Sequence, residues 1–576
     1  MLGALPSGWV LYYQVKYQVV VVNNRLGNSP ETVSGPIDVV IRNASVVDGT
    51  GAEPFRADVV VAGDRIVAVE EGSPARGDRE IDAGGLAVSP GFIDVHTHAD
   101  LLAFLPDDLT PLRSAALAQG VTTLIVGNCG FSVFPTFDEA LLGDVERHLG
   151  SLFGSGARVF EDLESYRSEL EAAGLESNVA ALVGQGTLRA AVVGFENRPP
   201  TKSELDHMCS LAGVAFSQGA LGLSTGLLYP PGSYAGTDEI VAIARVAGRA
   251  GRLYVTHMRN EMGRVKAALD EAVRISENAS VPLQVSHLKS AGRENHGQLP
   301  HLLDALRDAA DRGLDVGADA YPYEKGSTVL HALLPPWATE GGVGATITRL
   351  ASNETRQRLR NDFESPPADW QNFIEGGSWD DVRVASSPGR QDLEAQTIAE
   401  IASAHDRGEI DVVADLLISE RCSVTITVKM ASAGDVTDCL TSSQVMVGSD
   451  GIPIPGKPHP RWAGSFARVL SREGRERFGL TLAEAVRKMS SYPAQRFGLA
   501  DRGVVRVGAI ADLVVFDEER IRDQATYSEP LLPPTGVEHV IVNGQHVVDS
   551  GRLTGRRAGQ VLSGPNARRS TRKERR

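Results

Sequence analysis

The sequence predicts an α/β chain: a (β/α)8 barrel of the TIM type with a small β-sandwich domain formed from both chain ends. Three observations predict it. Short apolar runs followed by amphipathic stretches recur every ~30–40 residues through the middle of the chain. Segments written in strand-and-turn style flank that middle on both sides. Reactive side chains stand directly after the apolar runs, where the C-terminal mouth of such a barrel collects them.

The opening β segment comprises Ile37–Asn43 and Ala57–Val69, short strands joined by Gly/Asp turns. The closing one comprises Ala511–Phe516, Val537–Val542 and Gln545–Val548, with Asn543-Gly544 as a hairpin turn between the last two. Eight strands are expected between them, at Gly91–Val95, Val121–Val126, Val179–Val183, Ala220–Leu223, Leu253–Val255, Leu283–Val285, Asp315–Ala318 and Val445–Val447. Gly263–Asn278 is one of the helical stretches that fill the gaps. The interval between strands seven and eight is too long for a simple connection. With helices expected at Ala345–Phe363 and Asp392–Leu417, it reads as a lid. Gly341-Gly342-Val343-Gly344 within it is a turn, too short to signal a phosphate loop.

The resulting division is an N-terminal extension over 1–36, β-sandwich parts over 37–89 and 501–562, and a barrel over 90–500. The lid insertion falls around 330–440, and 563–576 is a disordered basic tail.

Length and composition agree with a large folded chain. The 576 residues exceed what one hydrophobic core usually serves, and 42% hydrophobic with 23% charged residues is ordinary for a globular protein. A net charge of −16 argues against a nucleic-acid partner. The cluster Arg568, Arg569, Arg572, Lys573, Arg575 and Arg576 reads as a solvated end rather than a binding arm. No stretch has the length and apolarity of a membrane span, and residues 8–22 lack the layout of a signal peptide. Cys129, Cys209, Cys422 and Cys439 form no disulfide pattern, which suits the cytoplasm.

The strand ends carry the chemistry. His96 and His98 follow strand one, and alternate side chains of an extended segment share a face, so both imidazoles can reach one ion. A lone cysteine is more often a small buried hydrophobe, but Cys129 ends strand two among metal-type histidines, where a thiolate is a strong zinc ligand. His257 and His287 end consecutive strands thirty residues apart; either alone could be a packed core residue, and together they supply nitrogen donors. Asp450 ends strand eight beside strand one. It reads as a turn aspartate before glycine or, by position, as a ligand and proton acceptor. The remaining histidines lack this placement.

Together these passages resemble the amidohydrolase superfamily. The resemblance runs through Pro90–His98, Ser449-Asp450-Gly451, Gly508–Asp517 and the opening turn Asp48–Gly51, and spans roughly residues 37–560. Gly127–Gly130, Gly222–Gly232, Thr256–Glu261, Ser286–Lys289, Asp319–Tyr323 and His459–Trp462 resemble the D-aminoacylase (N-acyl-D-amino-acid deacylase) family in particular.

That resemblance implies metal-dependent hydrolysis of N-acyl-D-amino acids, small molecules, to a carboxylic acid and a D-amino acid. It implies zinc on Cys129, His257 and His287, with His96, His98 and Asp450 at a second position. It further implies substrate contacts from Tyr229, Lys289, Arg461, Tyr321 or Tyr323, and Ser327. Lys289 and the fork of Arg461 suit a free carboxylate.

The chain departs from this pattern at two places. Strand four ends Gly222-Leu223-Ser224-Thr225-Gly226, without the metal-bridging lysine of many dinuclear relatives, so one tight zinc and a weaker second site are expected. Gln185 stands where many relatives have a histidine. Two other readings compete: a cyclic-amide hydrolase of dihydropyrimidinase or hydantoinase type, and a non-catalytic scaffold of the same fold. The oligomeric state is not legible.

Overall fold

The computed structural model describes residues 36–565, apart from 137, 138, 155, 156, 368 and 369. The expected N-terminal extension, up to residue 35, and the tail arginines and lysine lie outside the described residues. The fold is mixed α/β.

All eight expected core strands form, at Phe92–Asp94, Val121–Val126, Asn178–Ala181 continuing as Val183–Gly184, Gly222–Gly226, Leu253–His257, Leu283–Val285, Val316–Ala320 and Val445–Val447. Every pairing among them is parallel. The first three make one ladder, and the continuation of the third begins a six-stranded ladder that runs in order to the eighth. Leu182, between the two parts of strand three, donates to the Val126 carbonyl at 2.9 Å. Strand eight returns to strand one through Asp450 N–H to the His96 carbonyl at 2.7 Å and His98 N–H to the Gly451 carbonyl at 2.8 Å.

The sequence explains both faces of this core. Val121–Val126 is buried along its whole length, as strands covered on both sides must be. The covering helices are one-sided. In Val265–Ala279 the buried positions Val265, Ala268, Leu269, Ala272, Ile275 and Ala279 recur at helical spacing. The Thr201/Glu204, Thr397/Glu400 and Thr481/Glu484 pairs each cap a helix start reciprocally.

Strands that precede and follow the core in sequence meet in one nine-stranded sheet. Leu513–Phe516 pairs antiparallel with Ala87–Pro90, joining the closing segment to the opening one. Asn543 and Gly544 both take positive φ (48° and 78°), as the tight turn between Val537–Val542 and Gln545–Asp549 requires.

The long insertion differs from expectation. The helix expected over Ala345–Phe363 is two helices, Gly342–Leu350 and Asn353–Glu364, because Ser352 caps the second through the Thr355 N–H. The stretch expected over Asp392–Leu417 divides into Ile398–Ala404 and Glu409–Ser419. Gly341 and Gly342 turn with positive φ, as expected, but Gly342 already opens the helix that follows. A three-stranded antiparallel sheet of Lys325–Val329, Val382–Ser386 and Thr425–Lys429 also lies here, which the sequence reading did not foresee. Its strands are five residues long and distant in the chain, so no local pattern links them.

Candidate active site

The ends of the core strands bring the six candidate ligands together. One ligand atom from each of Cys129, His257 and His287 lies within 4.8 Å of the others, and the same holds for His96, His98, Cys129 and Asp450. Cys129 belongs to both groups. All six residues are buried.

Local backbone chemistry sets these positions. Cys129, His287 and Asp450 all take positive φ, 53°, 35° and 51°, a conformation rare for residues other than glycine and concentrated at functional sites. Gly226 lets the Cys129 loop approach strand four: a Cβ there would stand 2.0 Å from the Cys129 carbonyl oxygen. Ser224, on the same strand, accepts from the Gly130 N–H at 3.1 Å and donates to the Gly127 carbonyl. The strand that lacks a lysine thus braces the cysteine.

Charge is dense and matched. Cys129 Sγ lies 3.3 Å from His96 Nε2 and 3.6 Å from His287 Nε2. Burial pushes this thiol up, but the neighbouring imidazoles of His96, His257 and His287 outweigh it and hold it well below the usual thiol range. Asp450 Oδ1 stands 3.4 Å from His96 Nε2 and 3.3 Å from His98 Nε2, while Oδ2 stands 2.9 Å from Arg461 Nη1. Burial alone would raise its carboxyl; Arg461 above all, then His96 and His287, keep it ionised.

Two carboxylates that the sequence reading left without a role complete the site. Asp319, on strand seven, stands 3.2 Å from His96 Nδ1 and accepts from the His287 N–H at 2.9 Å and from Gln284 at 2.9 Å. Glu261 lies fully inside, 3.0 Å from His287 Nδ1 and 2.8 Å from Lys289 Nζ. Burial raises its carboxyl, and Lys289, His257 and His287 more than reverse this. Their signals were faint: Asp319 is a charged residue inside an apolar strand, and Glu261 is four residues past His257.

The other candidates divide. Tyr229, Lys289, Tyr321 and Ser327 line the same cavity as Cys129, His257, His287 and Asp450. The Tyr229 hydroxyl meets Thr328 Oγ1 at 2.9 Å. Arg461 is fully buried behind the cavity, with its guanidinium 4.7 Å from the Tyr321 ring centre and Nη2 donating to the Ser327 carbonyl at 3.2 Å. Tyr323 does not line this cavity; it packs against Arg468 and His459. Gln185 faces Glu239 at 3.1 Å and also stays out of the lining.

The donors fit a metal. Both ring nitrogens of His257 are buried without a hydrogen-bond partner, as is Nδ1 of His98. Unpaired buried imidazoles beside a thiolate are costly unless an ion completes them, and sulfur with imidazole nitrogen is a donor set suited to zinc.

Comparison with known proteins decides the family. The pattern of the amidohydrolase family matches residues 79–548. The chain belongs to the amidohydrolase family. This amidohydrolase is 35% identical to a D-aminoacylase of Alcaligenes xylosoxydans xylosoxydans over 533 residues, covering 92% of this chain and 98% of the relative. It is 37% identical over 517 residues to an N-acyl-D-glutamate deacylase of the same organism, covering 88% and 93%. The N-acyl-D-glutamate deacylase of Bordetella bronchiseptica, solved with zinc and a phosphonate inhibitor, superposes with a TM-score of 0.77 at 33% identity, covering 92% of this chain and all of that one. A dihydropyrimidinase of Brevibacillus agri shares the fold alone, at 16% identity, covering 92% and 99% with a TM-score of 0.52. The amidohydrolase is thus on the D-aminoacylase branch.

The supporting carboxylate makes a prediction. Asp319→Ala should weaken metal retention by about 10–100-fold, because an unanchored His96 loses its orientation. Competition with a graded chelator checks this, and circular dichroism shows whether the variant folds.

Proposed function

We propose that this amidohydrolase cleaves the amide bond of N-acyl-D-amino acids, giving a carboxylic acid and a D-amino acid. Zinc is held most tightly by Cys129, His257 and His287, with a weaker position at His96, His98 and Asp450. The observation that carries this reading is the convergence of the two donor groups on the shared Cys129, beside an ionised aspartate and two buried cations.

A metal held there would polarise the acyl carbonyl and lower the pKa of a bound water. Asp450 takes the proton of the attacking water and returns it to the nitrogen as the C–N bond breaks. Arg461 anchors the substrate carboxylate: its guanidinium is buried against Tyr321, and its Nε is a buried donor without a hydrogen-bond partner. Tyr321, between Arg461 and Lys289, forms the wall against which that end of the substrate rests. Tyr229, hydrogen-bonded to Thr328, lines the same cavity.

We read the eight parallel strands as one closed (β/α)8 barrel, supported by the hydrogen bonds between strands eight and one, and the nine-stranded sheet as the small β-sandwich domain. The division at 37–89, 90–500 and 501–562 follows from that reading. Four free thiols support a reducing, cytoplasmic setting. No helix among the described residues is long and apolar enough to cross a membrane.

The test is a hydrolysis panel of paired N-acetyl-D- and N-acetyl-L-amino acids plus a hydantoin, with zinc supplied and then chelated. The D-substrates should be cleaved, chelation should abolish turnover, and zinc should restore it. Ring opening of the hydantoin without deacylation would overturn the proposal, as would a well-folded protein that binds no metal.

A further inference from the structure

We infer that this enzyme selects N-acyl-D-amino acids with neutral, apolar side chains and discriminates against those of D-glutamate and D-aspartate. The inference rests on the preceding reading and concerns the one part of the substrate that reading leaves open.

Charge accounting carries it. Lys289 is the sole lysine or arginine among the described residues that line the cavity. Its ammonium is already occupied, 2.8 Å from Glu261 Oε1 and 2.8 Å from His287 Nδ1. Glu261 itself lines the cavity, so the wall there presents a neutralised pair rather than a bare cation. Arg461 is the second cation of the site, and it faces Asp450 at 2.9 Å. Nη1 is engaged with Asp450 and Nη2 with the Ser327 carbonyl, so this guanidinium has donors left for one carboxylate at most. Every N-acyl-amino acid brings that carboxylate on its α-carbon.

Among the described lining residues a second carboxylate would find no unpaired cation. The rest of the lining includes Phe131, Leu152, Val329, Phe373, Met430 and Ile452. An acidic side chain placed among these would lose its hydration without a compensating partner, whereas an apolar one gains from burial. The discrimination comes from what the cavity withholds as much as from what it offers.

The test compares kcat/KM of the zinc-loaded full chain for N-acetyl-D-methionine, N-acetyl-D-glutamine and N-acetyl-D-glutamate. Glutamine matches glutamate in shape and removes its charge. Methionine should exceed glutamate by about a hundredfold or more, with glutamine above glutamate. Glutamate within tenfold of methionine, or equal to glutamine, would overturn the inference while leaving the deacylase reading intact. Failure to cleave any N-acyl-D-amino acid would instead sink the deacylase reading, and this inference with it.

Discussion

Asp450→Asn should retain its metal and lose about a thousandfold in kcat, the scale of a positioned acid–base group. Asparagine keeps the side chain's shape and one oxygen, so His96 and His98 still meet a neutral acceptor. What it lacks is a basic oxygen. In the wild-type protein Asp450 Oδ1 faces the two imidazoles while Oδ2 faces Arg461, and burial would neutralise the group without them. The expected signature is a fall in kcat much larger than any change in KM, because the proton transfer is lost while Arg461 remains in place. Steady-state kinetics with metal analysis of the same sample checks it. Turnover close to wild type would remove Asp450 from the proton transfers.

Cys129→Ala should lose the tightly held metal and with it roughly two or more orders of magnitude of turnover. The thiol is common to both donor groups, so its removal takes a ligand from each position at once. The backbone gives this residue little freedom, since its carbonyl sits against Gly226 and its φ is 53°. Alanine fits the space and meets the same left-handed backbone as cysteine, and thermal unfolding measured beside metal content shows whether the fold is kept. Loss of metal in a folded variant is the expected outcome; full metal occupancy would contradict the assignment of Cys129.

Much of this site was legible because the parallel core strands place chemistry at their C-terminal ends. His96 and His98, Cys129, His257, His287 and Asp450 each follow an apolar run, and the structure brings those runs side by side in chain order. Pairing along a parallel ladder converts regular spacing in sequence into proximity in space. The supporting carboxylates were harder to see. Asp319 is a single charge in Val316–Ala320, and only the contact with His96, 223 residues away, explains why it is tolerated there. Glu261 likewise acquires meaning from Lys289 and His287, which lie on the next strand's end.

The substrate contacts show the same limit. Lys289 suits from sequence either a substrate carboxylate or an ordinary ion pair, and Glu261 is its ion-pair partner; Tyr321 and Tyr323 read as equivalent, yet only the first lines the cavity. Pairing among distant charged groups is settled by tertiary packing and not by local pattern. The three-stranded antiparallel sheet was missed for a related reason: Lys325–Val329, Val382–Ser386 and Thr425–Lys429 are short and find each other only across long intervals of chain.

X-ray absorption at the zinc edge of the zinc-loaded full chain tests the central claim most directly. One sulfur at about 2.3 Å with nitrogen donors at about 2.0–2.1 Å is the predicted inner shell. A shell of nitrogen and oxygen alone would mean that Cys129 does not hold the ion, and would contradict the account.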